Sequence, residues 1–128
     1  MGTPKSIEVV DALIRESDWL EYEEKGTGRY SRENCTVELD QDLNSGSVLM
    51  YNVAGTRVMA FDGARPVCGI LVNRCKTDAV NTSPNTMVVR QARVAPTKLS
   101  WNAGLSDVNK TAGFTTLLSK GITTVREA

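Results

Sequence analysis

M-V-V-R-Q-A-R-V-A-P-T-K-L-S-W-N-A-G, residues 87–104, is the stretch whose reading decides the fold. Met87, Val89, Gln91 and Arg93 alternate with Val88, Arg90, Ala92 and Val94, the period-two pattern of a strand, and predict one long strand over residues 86–94. Pro96 stops it, because proline has no N–H to give to a ladder. Downstream, Ser106 is placed as an N-cap, and Asp107 sits where the helix dipole favours negative charge. Val108, Thr111, Ala112, Phe114, Thr115 and Leu118 fall on one broad side of the helix that follows, and Gly121 ends it just after Lys120. Ile122–Val125 reads as a last short strand.

Working upstream, strands succeed one another. Cys35, Val37 and Leu39 alternate with Thr36, Glu38 and Asp40; residues 42–46 read as a turn, and residues 47–51 as a mostly apolar strand. Residues 57–61 are its hairpin partner, and Asp62-Gly63 is a strong turn signal. Val67, Cys68, Ile70, Leu71 and Val72 make a run apolar enough for burial on both faces, with Gly69 admitting a neighbouring backbone. Residues 77–84 read as a polar loop. The pattern is that of a mainly β domain with one C-terminal helix.

Residues 1–33 differ. Pro4 and Ser6 precede Ile7, Val10, Leu13 and Ile14, which are near helical spacing. An amphipathic stretch at residues 18–22 then gives way to a glycine-broken one at residues 25–28. A polar segment at a chain end either orders on a partner or packs as a surface helix on its own domain. Both readings stand at this point.

Composition narrows the function. The 128 residues suit one domain; 41% are hydrophobic and only 5% aromatic. No apolar run approaches the ~20 residues of a membrane span, and the start has no signal-peptide core, so the expectation is a protein used without secretion. There is no histidine, which excludes Ser-His-Asp and Cys-His catalysis and the usual zinc sites. Cys35, Cys68 and Cys75 are odd in number, without a C-x-x-C pair, and read as reduced, buried small hydrophobes. Phosphate-binding glycine loops and calcium loops are missing from the sequence. No catalytic, metal or cofactor residue is therefore expected. Net charge is zero but uneven: residues 1–45 hold eleven acids and five bases, residues 46–128 ten bases and four acids. Arg90, Arg93 and Lys98 are interleaved with apolar strand positions, unlike the basic stripe of a nucleic-acid binder, so no direct nucleic-acid contact is expected.

Four motifs occur in order: D-W-L-E-Y-E-E before R-Y-S-R-E-N-C-T-V, then L-N-S-G-S-V-L-M, then F-D-G-A-R-P-V-C-G-I-L, then M-V-V-R-Q-A-R-V-A-P-T-K-L-S-W with the helix and G-I-T-T-V-R. This series, over residues 18–127, resembles the phage lambda-type head decoration protein D family. The resemblance implies a β-clip- or β-tulip-like mainly β domain with an extended N-terminal arm. It also implies a homotrimer that binds the major capsid protein of the expanded head at three-fold and quasi-three-fold sites, a cement on the outside of the virion assembled in the host cytoplasm. Carried over, residues 1–33 are the capsid-binding arm, with Trp19, Leu20, Tyr22, Tyr30, Ser31, Arg32 and Glu33 as its contacts, and residues 34–128 are the core domain. Leu99, Trp101 and Phe114 are the candidates for the trimer interface. Where the family turn reads W-P-A-G, this chain has Trp101-Asn102-Ala103-Gly104, and residues 1–17 have no secure counterpart, so their role is open. Two other classes stay open, a different virion or tail β protein and a small trimeric β-clip enzyme acting on nucleotides.

Overall fold

The computed structural model describes residues 16–23 and 31–125. The stretch expected to be helical at residues 7–14, the glycine-broken stretch at residues 25–28 and Tyr30 lie outside the described residues. The chain is mainly β. A one-turn helix α1 (Glu16–Trp19) leads into β1 (Leu20–Glu23), followed by β2 (Arg32–Val37), β3 (Asp42–Leu43), β4 (Val48–Tyr51), β5 (Val58–Ala60), β6 (Val67–Leu71), β7 (Cys75–Lys76), β8 (Ser83–Val88) and β9 (Ala92–Val94). A 3-10 turn (Pro96–Lys98), helix α2 (Asp107–Ser119) and β10 (Ile122–Thr124) complete it. Strands β2-β5-β4-β6-β8 close into a barrel, β1-β9-β10 form a separate sheet, and β3 pairs with β7.

Alternation along the central strands divides the interior in two. Leu49, Cys68, Leu71 and Met87 join Val37 and Val58 in one apolar cluster. Val48, Met50, Ile70 and Val88 point the other way, into a cluster with Trp19, Val94, Leu117 and Ile122. All five residues of β6 are buried, as its continuous apolar run predicts. Gly69 does admit a backbone: a Cβ there would stand 2.9 Å from the Val88 carbonyl oxygen.

Helix α2 begins where its capping residues place it, with Ser106 Oγ accepting from the Asn109 N–H at 3.2 Å. It ends at Lys120, and Gly121 takes the left-handed conformation with φ +80°.

Two expectations are corrected. The strand over residues 86–94 is two strands, β8 and β9, because Gln91 has φ +50° and turns the chain out of the barrel into the second sheet. Residues 42–46 and 77–84 are not simply turn and loop, since Asp42–Leu43 pair with Cys75–Lys76 and β8 already begins at Ser83. On helix α2, Gly113 and Leu117 face inward, while Val108 and Leu118 of the broad side read from the sequence are exposed.

Candidate interaction surfaces

The residues named for the arm fall into two physical groups. Trp19 is fully buried, its indole N–H donating to Ser45 Oγ at 2.9 Å, while Ser45 Oγ donates to the Val72 carbonyl at 2.6 Å. The Ala95 N–H in turn donates to the Trp19 carbonyl at 2.8 Å, and Leu20 stands opposite Val94 as β1 runs antiparallel to β9. Ser31 is fully buried as well, and its hydroxyl donates to Glu23. Arg32 grips Glu23 through Nε at 2.9 Å and Nη2 at 2.6 Å and also reaches Glu16. That grip holds the Arg32 guanidinium above its usual pKa range, the Glu23 hydrogen bond outweighing the effect of burial. Within the described part of residues 1–33, Trp19 and Ser31 are fully buried, Leu20 pairs with Val94 of β9, and Arg32 is held by Glu23. An indole and a paired carboxylate taken out of water need the partners that only the folded domain supplies.

The second group is available for contact. Tyr22 is 54% exposed with the Arg93 guanidinium 5.8 Å from its ring centroid, and Glu33 is exposed and paired with Arg90.

The residues named for subunit contact also divide. Leu99 is buried in the core of its own chain. Trp101 and Phe114 are half-buried and packed edge-to-face at 5.2 Å, with Phe61 6.3 Å from Trp101 on the other side. Gly113 makes this close approach possible, since a Cβ there would come within 3.1 Å of the Trp101 ring.

Sequence reasoning missed the outer side of α2. Val108 and Leu118 are exposed there, and Phe114 and Leu118 help line a groove of about 320 Å³ beside Pro96 and Ile122. The readable signal was Gly113, a mid-helix glycine that costs helix stability and marks the side that packs closely.

Burial pushes the Cys68 thiol up to about 12 and the Cys35 thiol to about 11, the neighbouring Cys35 and Cys75 respectively adding to it. Thiols held neutral in this way are poor nucleophiles and poor metal ligands. Among the described residues no three His, Cys, Asp or Glu side chains converge as a metal site, and no helix is long and apolar enough to cross a membrane.

A comparison with curated proteins returns no match. A comparison with protein families returns one whose description is Bacteriophage lambda head decoration protein D, matching residues 12–122. The matched region starts upstream of residue 18, so residues 12–17 do have a counterpart in the family. It spans most of the chain and takes in α1, strands β1 to β9 and α2, ending at the first residue of β10. The chain belongs to the bacteriophage lambda head decoration protein D family.

Proposed function

We propose that the protein is a cement for the phage head: a homotrimer that sits at three-fold and quasi-three-fold positions of the expanded lattice and clamps major capsid protein subunits against the pressure of packaged DNA. The family match over residues 12–122 carries this reading. The family is a structural one, a capsid decoration protein of the virion rather than an enzyme class. Assembly in the host cytoplasm accompanies the proposal.

Cement function needs no reacting group. It needs a surface whose affinity for the expanded lattice exceeds that for the unexpanded one, because a ligand shifts an equilibrium only by its differential affinity. Joining three modest contacts in one trimer raises the effective concentration of the second and third. The capsid contact falls to the N-terminal segment, residues 1–15, together with the exposed part of β1 and β2 around Tyr22 and Glu33. Trp101 and Phe114 contribute to the contact between subunits.

Co-sedimentation with decoration-free heads tests it. The full chain should pellet with expanded heads and stay in the supernatant with unexpanded ones, and bound heads should release DNA at a higher temperature. Equal binding to both lattices, or no effect on DNA release, would sink the cement reading.

A further inference from the structure

Tyr51 ends β4, and Val53 follows it on the hairpin turn that leads to β5. β5 runs parallel to β2 with Val37 opposite Val58, so the hairpin preceding Val58 lies back along β2 toward Glu33. There Glu33, Tyr51, Arg90 and Lys120 surround a cavity of about 280 Å³ whose floor is Cys68 and Val89. Both floor residues are buried, while Tyr51 is 38% and Val53 87% exposed. Asn52 fixes the hairpin turn, its side-chain oxygen accepting from the Thr56 and Arg57 N–H groups, so the valine is presented on a held loop.

The charges around this socket are unequal. Arg90 is paired with Glu33, whereas Lys120 forms no ion pair among the described residues. Burial dominates the Cys68 thiol at the floor, and the Lys120 ammonium is close enough to oppose it. One uncompensated cation over an apolar floor suits a carboxylate side chain, whose methylenes meet the floor while its charge meets the ammonium. The socket is also continuous with the face given to the capsid. Glu33 belongs to both, and from Arg90 the chain enters β9, where Arg93 lies over Tyr22.

We propose, on the cement reading above, that this socket is a contact with the capsid lattice. It takes an aspartate or glutamate side chain of a major capsid protein subunit, with Lys120 as counter-charge and Val53 packed beside it.

Carbodiimide coupling of the full-length chain on decoration-free expanded heads tests the contact. The reagent activates a carboxylate and leaves as a urea when an amine displaces it, so an amide forms only where ammonium and carboxylate already meet. Mass spectrometry of the digest should find Lys120 Nζ joined to an Asp or Glu of the major capsid protein. Lys120→Glu should weaken co-sedimentation roughly tenfold, and Val53→Asp should weaken it too, with melting and subunit mass unchanged. Lys120→Arg should keep the binding and lose the cross-link. Undiminished binding by Lys120→Glu and Val53→Asp, or Lys120 joined only to carboxylates of decoration subunits, would overturn the proposal and leave the cement reading standing. Failure of the unaltered chain to bind expanded heads would sink both.

Discussion

Gly46 has φ +91°, and a Cβ on it would stand 2.8 Å from Trp19 Cδ1. Both the left-handed backbone and the indole therefore require glycine, so Gly46→Ala should cost about 2–4 kcal/mol in urea unfolding. Gly55 has φ +74° with nothing within 4 Å, so Gly55→Ala carries backbone strain alone and should cost about 1–2 kcal/mol. Equal losses for the two would mean that the indole gives way. The buried thiols predict a pH dependence at the same scale. Their folded pKa values lie above the ordinary 9.0, at about 11 for Cys35 and about 12 for Cys68. The folded state thus holds protons that the unfolded chain releases. This contribution is fully present below pH 9 and is lost as pH rises through the folded values. Denaturant midpoints from pH 8 to 11 should fall, and Cys68→Ala should flatten that fall. An unchanged slope in the variant would assign it to other groups.

At the scale of elements, β1 is fastened to the domain by a plug and a clamp. Trp19 is the plug; Glu23 and Arg32 are the clamp, their side chains only 4% and 11% exposed. Removing one partner of a buried pair strands the other, so Glu23→Gln should destabilise the fold by about 3–5 kcal/mol, lessened where Glu16 retains Arg32. The Glu33–Arg90 pair makes the contrast, being 46% and 30% exposed. Glu33→Gln should cost under about 1 kcal/mol, since solvent screens an exposed pair. Thermal unfolding of both variants checks the ranking, and reversal would place β1 outside the cooperative unit. Helix α2 follows a different logic. Its cap and end are local, but its rotation is set by the fit of Gly113 to Trp101 and of Leu117 to the core.

For the whole molecule, the plug and the clamp decide what can be cut away. Truncation of residues 1–15 removes no described residue and should leave melting close to that of the full chain while weakening co-sedimentation with expanded heads. Truncation of residues 1–33 also removes Trp19, β1, Ser31 and Arg32. Loss of a buried tryptophan alone costs about 3–5 kcal/mol, a large part of the roughly 5–15 kcal/mol that holds a domain together. That longer truncation should yield unfolded or aggregated protein. A well-folded product would return residues 16–33 to the status of a detachable arm. Normal head binding by the shorter truncation would move the capsid contact to the face around Tyr22 and Glu33. Light scattering across a dilution series, expected to give a mass near three chains, checks the oligomer.

Much of this protein was legible in its sequence because much of it is specified locally. Ser106 and Gly121 bound α2, Asp62-Gly63 turns the chain with φ +93° at the glycine, and the apolar run at residues 67–71 is a strand buried on both faces. The order of the four motifs carried the family. What only the tertiary structure decided were matters of partner and side. Period-two alternation continues straight through Gln91, so nothing in the pattern shows that β8 closes a barrel while β9 joins another sheet. Apolar residues occur all round α2, so the buried side was settled by packing, Gly113 admitting the Trp101 ring and Leu117 entering the core. Trp19 and Leu99 stand in polar surroundings in sequence and in the core in space. Local pattern sets what a segment can become; burial is a property of the surfaces that meet, and those come from residues far apart in the chain.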